Sequence, residues 1–192
     1  WLKLVYLLDI NVDTLISTIM KKTYFLLLTL ILISLLGCQE IKVEKIKINL
    51  NAKSNSKTSG EVSLTERNGV VTLEANIYGL EPGTHAIHLH DKADCSSSDG
   101  KSTGGHWNPT FEPHGAWQND TGFHRGDIGN FEANNQGHGM IKFSTDLWCI
   151  GCEDPVKNIL GKAVIVHQGA DDLTSQPSGA AGARVSCAGI IN

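Results

Sequence analysis

The sequence predicts an all-β protein, with about eight short strands folded into a sandwich or flattened barrel. Short runs of alternating apolar and polar residues recur along the chain, separated by turn-forming residues. The composition agrees: 41% of the 192 residues are hydrophobic but only 6% aromatic, and there are 20 glycines against 5 prolines. That balance suits a β protein with many turns better than a helical bundle. Neither a convincing amphipathic helix nor an internal repeat interrupts the pattern.

Taken in order, Ile46 to Leu50 alternates as a half-buried strand does. Glu61 to Thr65 and Val70 to Tyr78 flank Arg67-Asn68-Gly69, where Asn-Gly is a strong hairpin signal. Further strands are expected at Thr84 to His90, Asn130 to Ala133, Met140 to Ser144, Ala163 to His167 and Arg184 to Ile190. Between them, Asp91 to Gly129 is too long for an ordinary hairpin loop, and loops of that length are usually functional or disordered.

The N-terminal part reads differently. Residues 1–19 precede a good start at Met20 and look like an upstream extension. Met20-Lys21-Lys22 opens a positive segment, and the apolar run Phe25 to Leu36 has only 12 residues, where a bilayer span needs about 20. It ends in Leu35-Leu36-Gly37-Cys38, which resembles the lipobox of bacterial lipoproteins. Residues 20–37 are therefore expected to be a lipoprotein signal peptide, a plain signal peptide being the alternative. Residues 38–45 would form a lipidated tether, with Cys38 carrying the lipid and residues 46–192 forming the folded domain. Such a chain would sit in a bacterial cell envelope, anchored to the membrane by its N-terminal lipid and facing the periplasm or exterior. Residues 39–192 carry 13 Lys+Arg against 18 Asp+Glu and no block of basic residues, so nucleic acid is not an expected partner. Four cysteines remain in that segment, at 95, 149, 152 and 187, which in an exported chain reads as disulfide bonding.

The histidines are the strongest chemical signal. In a strand His88 and His90 project to one face while Ile87 and Leu89 enter the core, so two imidazoles can share a metal. Alone, a His-x-His is weak. Here it is followed by Gly105-His106-Trp107-Asn108-Pro109, Pro113-His114-Gly115, His124-Arg125-Gly126-Asp127 and Val166-His167, each beside turn residues or a strand end.

At these phrases the sequence resembles the copper/zinc superoxide dismutases. The likeness extends through Gly126-Asp127-Ile128-Gly129-Asn130, Ala170-Asp171-Asp172-Leu173 and Arg184-Val185-Ser186-Cys187, and covers about residues 46–192. It implies an eight-stranded Greek-key sandwich or flattened barrel with long metal-binding and active-site loops. Copper would be held by His88, His90, His106 and His167, and zinc by His106, His114, His124 and Asp127. Imidazole suits both metals, and zinc accepts histidines plus one carboxylate. His106 serves both lists, so it would bridge the metals as imidazolate, losing a proton that it can take back and deliver.

The resemblance also assigns Asp171 to the free ring nitrogens of His88 and His114, Cys95 and Cys187 to a disulfide, and Arg184 to a position beside copper. His85 lies on the face of Ile87 and Leu89 and reads as structural, and His138 as an exposed turn residue. Trp148-Cys149-Ile150-Gly151-Cys152 departs from the common family pattern. It imitates a thioredoxin-type redox site but lacks a βαβ context and is followed by Glu153-Asp154, so Cys149 and Cys152 are expected to form a local structural disulfide.

The expected activity is disproportionation of superoxide to oxygen and hydrogen peroxide, with His106 and Arg184 as catalytic residues. The alternative is a non-catalytic envelope module binding copper and zinc, and a homodimer is left open. The loop Gln168 to Ala183 carries Asp171 and Asp172 but no lysine or arginine. Arg184 is therefore expected to attract superoxide nearly alone, unless Lys92 or Lys101 folds over the channel.

Overall fold

The computed structural model describes residues 14–28 and 43–191. The chain divides into two compact units, Trp1–Glu40 and Ile41–Asn192. In the first, a helix covers residues 14–28, with every side chain exposed. It runs through Met20, across the boundary expected between an upstream extension and a signal segment. No helix among the described residues is long and apolar enough to cross a membrane. The lipobox Leu35-Leu36-Gly37-Cys38, the remainder of the apolar run, and residues 1–13 and 39–42 lie outside the described residues.

In the second unit, eight antiparallel strands form a closed barrel. They are β1 (Val43–Ala52), β2 (Ser59–Arg67), β3 (Val70–Tyr78), β4 (Gly83–His90), β5 (Gly129–Ala133), β6 (Gly139–Thr145), β7 (Ala163–His167) and β8 (Arg184–Gly189). Around the barrel they run β1-β2-β3-β6-β5-β4-β7-β8. Strands β4, β5 and β6 are consecutive neighbours, and β7 returns through a long connection to lie beside β4, which is a Greek key. All eight expected strands are present, and β1 starts earlier than expected. Val43, Glu44 and Lys45 pair with Arg67, Glu66 and Thr65, so the polar tether is shorter than its composition implied. Cross-strand pairing extends β1 to residues whose own alternation carries no apolar signal.

Two seams explain why sandwich and barrel were both legible. β1 joins β8 by two residue pairs, Asn51 with Cys187 and Ala52 with Ser186, and β5 joins β6 by one, Ala133 with Gly139. The barrel is thus two four-stranded sheets, β1-β2-β3-β6 and β5-β4-β7-β8, joined by narrow ladders. Their inner faces supply the core: Leu50, Val62, Leu64, Leu73, Ile77, Ile87, Leu89, Phe131, Val164, Val166 and Ala188, with Trp107 and Trp148 packed against them. On the outer side of β7 and β8 a smaller cluster of Ala163, Ile165 and Cys187 packs against Cys95 of the long β4–β5 loop. Cys95 and Cys187 are disulfide-bonded, fastening that loop to the wall. Closing a loop between residues 92 apart is worth about 4–5 kcal/mol in the chain-entropy model.

Leu64 and Leu73 face each other across the β2–β3 pair and are both fully buried. Replacing either by alanine is expected to cost about 2–5 kcal/mol. Because the two are cross-strand partners in one core, the double variant should lose less than the sum of the singles, as urea unfolding of all four proteins will measure.

Candidate metal centre

Strand alternation builds the first half of the site. Ile87 and Leu89 enter the core, so His88 and His90 stand on the outer face of β4, opposite Ile165 and Ala163 of β7. His167 ends β7 on that same outer face. A bulge between Val166 and His167 then alters the register with β8, so that Val166 pairs with Ser186 but His167 with Arg184. Val185 is the extra residue. Strict alternation from the outward Cys187 would turn Arg184 inward, and the bulge brings it out beside His167.

The β4–β5 loop supplies the rest. His106 forms an isolated bridge with His90, and Trp107 and Leu89 are joined by an N–H···O bond of 2.8 Å. Gly126 closes over this point: its N–H donates to Trp107 and its carbonyl accepts from Leu89, both at 2.9 Å. A Cβ at Gly126 would collide with the Leu89 carbonyl, so only glycine allows the loop to lie this close. The seating of Gly126 delivers His124 and Asp127 on either side of it. Asp127 is fixed by the His124 N–H at 2.8 Å.

All seven residues expected to bind metal are buried, and they fall into two groups. His88, His90, His106 and His167 form one, and His106, His114, His124 and Asp127 the other, with ligand atoms in each group within 4.8 Å of one another. The ring nitrogens settle how each imidazole is presented. His90 donates from Nδ1 to the Gly104 carbonyl (2.9 Å) and His167 from Nδ1 to that of Gly182 (3.4 Å). His88 and His114 donate from Nε2 to the two oxygens of Asp171, at 2.8 and 2.9 Å. A nitrogen that donates carries the proton, so the other nitrogen of a neutral ring presents a lone pair. Those others are His88 Nδ1, His90 Nε2, His167 Nε2 and His114 Nδ1; with His106 Nε2 and His124 Nδ1, they are buried without hydrogen-bond partners. His114 Nδ1 and His124 Nδ1 approach Asp127 at 3.0 and 3.2 Å without hydrogen-bond geometry. Buried orphan lone pairs are costly, and six of them aimed at two points fit two bound cations.

Electrostatics agree. Burial, with neighbouring imidazoles, pushes His90 and His167 well below the ordinary histidine pKa, and His106 down to about 4. Neutral rings of this kind can act as ligands. Burial also disfavours the proton on His114, but the carboxylates of Asp127 and Asp171 outweigh it and raise that ring to about 9, so its Nδ1 lone pair becomes free only when a cation displaces a proton. Burial acts against ionised Asp127 and Asp171 too, yet their imidazole partners hold both carboxyls far below the usual range. The Asp127 corner is therefore built for positive charge.

Above the first group opens a cleft of about 650 Å³, lined by His90, His106, His167, Asp99, Lys101 and Arg184 among others. Arg184 donates from Nη1 to the Gly100 carbonyl (2.8 Å) and to Thr103 Oγ1 (3.1 Å), which aligns its guanidinium along the wall. Burial lowers its pKa and Asp99 opposes that, and a guanidinium stays charged regardless. Lys101 does reach the rim, 3.3 Å from Asp99, whereas Lys92 does not line the cleft.

His85 is buried between the backbone carbonyls of His167 (3.0 Å) and Glu81 (2.8 Å), as a structural residue would be. His138 corrects the reading of an exposed turn residue: it is half-buried and stacks on Tyr78 at 4.6 Å, because the β5–β6 turn folds back over the end of β3. Cys149 and Cys152 are disulfide-bonded. Sequence reasoning passed over Asn130, which exchanges two 2.8 Å bonds with the Asp171 backbone, and Trp148, whose indole N–H donates to the Arg125 carbonyl at 2.8 Å. Asn130 stood inside a recognised phrase. Trp148 was masked by the cysteine motif beside it.

Comparison with known proteins adds a family to this geometry. Residues 58–190 match the family model of copper/zinc superoxide dismutase. The Superoxide dismutase [Cu-Zn] 2 of Aquifex aeolicus is 33% identical over 168 residues, covering 85% of this chain and 94% of that protein. A Superoxide dismutase [Cu-Zn] from Caulobacter vibrioides is 34% identical over 140 residues, covering 71% and 80% respectively. Among solved structures, a SOD-like protein from Bacillus subtilis superposes with a TM-score of 0.68 at 28% identity, covering 76% of this chain and 97% of that one. With the barrel, the paired ligand groups and the matching sequence in agreement, the chain belongs to the copper/zinc superoxide dismutase family.

Proposed function

We propose that the chain disproportionates superoxide at a copper held by His88, His90, His106 and His167, beside a zinc held by His106, His114, His124 and Asp127. One observation carries this reading: His106 belongs to both ligand groups, with its Nδ1 2.8 Å from Asp127 Oδ1 and its Nε2 buried without a partner. Bound copper would supply the one-electron redox change that two successive superoxide ions need, and zinc a fixed positive charge nearby.

The chain's own residues do the rest. Arg184 attracts the small anion into the cleft and orients it against the wall that holds His90 and His167. With both metals held, His106 would carry no ring proton and could take one up at its buried Nε2, which makes it the residue placed to hand a proton to superoxide. Two superoxide ions and two protons leave as one oxygen and one hydrogen peroxide. Asp171 holds His88 and His114 at fixed orientation throughout, and the buried surroundings keep bulk water from competing for the ligand lone pairs. A non-catalytic metal-binding module would have no use for a guanidinium aimed along the cleft.

The two disulfides fit an oxidising compartment outside the cytosol, and relatives from Haemonchus contortus and Caenorhabditis elegans are named extracellular. We infer further that Cys38 carries a lipid that anchors the chain to the bacterial envelope membrane.

Metal analysis should find one copper and one zinc per chain. His106→Ala is expected to disturb both metals, and Asp127→Ala to deplete zinc while copper stays. An unchanged copper spectrum with full zinc in His106→Ala would refute the shared ligand. Steering should be weak, since Asp99 offsets Lys101 and residues 39–192 are net acidic. Accordingly kcat/KM should fall only shallowly as the screening length shortens from about 30 Å at 0.01 M salt to 8 Å at 0.15 M, and Arg184→Ala should flatten it further. A steep fall that survives Arg184→Ala would place the guiding charges elsewhere. Cys38→Ser should move the protein from the membrane fraction to the soluble one on cell fractionation; an unaltered protein already soluble would refute the anchor.

A further inference from the structure

The turn Trp148-Cys149-Ile150-Gly151-Cys152 lies between β6 and β7, outside both ligand groups, yet it is tied to the loop that carries His114, His124 and Asp127. Trp148 is the tie. It is 1% exposed, and its indole N–H bonds the carbonyl of Arg125, the residue after His124 and two before Asp127. Its ring lies 6.0 Å from Trp117 and 5.1 Å from Phe143, while Trp117 packs on Phe123 at 5.0 Å. Trp117 and Phe123 both belong to that loop. The residue after Trp148 is Cys149, buried and disulfide-bonded to the half-buried Cys152. Cys149 also exchanges backbone bonds with Lys157 (2.8 Å) and Ile159 (3.0 Å), so the turn is clamped both covalently and by hydrogen bonds.

We propose that the Cys149–Cys152 disulfide is a thiol-exchange site that sets how firmly this loop retains zinc. The inference rests on zinc being held by His106, His114, His124 and Asp127. Its reductant is a dithiol. One thiolate of the dithiol attacks Sγ of Cys152, the more accessible sulfur, and Cys149 leaves as thiolate. The second thiol then attacks the mixed disulfide, releasing Cys152 and leaving the dithiol oxidised to a disulfide. The protons of the dithiol pass to the two cysteines. Glu66, whose carboxylate accepts from the Ile150 N–H at 2.6 Å, and neighbouring Glu153 and Asp154 make the turn negative. Negative charge disfavours thiolates, so the pair exchanges slowly and suits a stable switch better than a cycling catalyst. With the clamp open, the backbone bonds still hold the turn, but Trp148 is seated less tightly and Arg125 loses a fixed partner. The ligands on β4 and β7 keep their own supports.

The test compares zinc release from the unaltered protein and from Cys149→Ser/Cys152→Ser, using a chromogenic chelator, with Cys95–Cys187 verified intact by mass spectrometry. The double variant should release zinc about tenfold faster, the low end of the range for outer partners of metal ligands, with copper retention unchanged. Trp148→Phe, which keeps both cysteines but drops the N–H, should shift release the same way. If the double variant does not fold, a time course of dithiol treatment of zinc-loaded protein, each sample stopped by alkylation, gives the same reading. Zinc release should then track labelling of Cys149 and Cys152, not of Cys95 and Cys187. Equal release from closed and opened forms overturns the switch and leaves the zinc assignment standing. Zinc missing from the unaltered protein overturns both.

Discussion

The carboxylate of Asp171 is the contact on which the centre depends. Its two oxygens take N–H bonds from His88 on β4 and His114 in the long loop, so three separate segments meet on one buried charge. Such a charge is tolerated only because both oxygens accept N–H bonds: the Leu173 N–H donates to it as well, and Asn130 clasps its backbone from β5. The chain then passes directly over it at Gly179, φ +69°, where any Cβ would strike the carboxylate and His114. One aspartate thus fixes the tautomer of a ring in each ligand group, and with it the direction in which each ring offers its lone pair.

Much of this was legible in the sequence because it is periodic or punctuated. Period-two alternation gave β3 its observed limits, a short apolar run gave β7 its own, and Asn68-Gly69 marked the hairpin between β2 and β3. The face shared by His88 and His90 followed from the same rule. What escaped were features that belong to pairing between distant segments. The first residues of β1 carry no apolar alternation and become a strand only against β2. The bulge at Val185 leaves no local mark, although it decides which face Arg184 joins. His138 looked exposed because nothing in Gly137-His138-Gly139 indicates that the turn folds onto Tyr78.

The two disulfides have different mechanical tasks. Cys95–Cys187 ties a long excursion to the barrel wall, next to the guanidinium that leans on Gly100 and Thr103 of the same loop. Cys149–Cys152 spans a separation of 3 residues and stiffens a turn whose tryptophan reaches the other end of that loop. The loop that carries His106, His114, His124 and Asp127 is therefore held at one end by the Cys95–Cys187 bond and near the other by the Trp148–Arg125 hydrogen bond, both outside the ligand groups. Precision at the ligands comes from packing and hydrogen bonds, which these bonds protect from larger excursions.

The narrow seam between β1 and β8 has a consequence for crowding. β1 pairs with β8 only at Asn51 and Ala52, and an exposed strand edge is a template for another chain to add to. Lys45 and Lys47 stand exposed along that strand. Charged side chains along a strand edge oppose the addition of another strand, so this edge resists sheet-to-sheet growth.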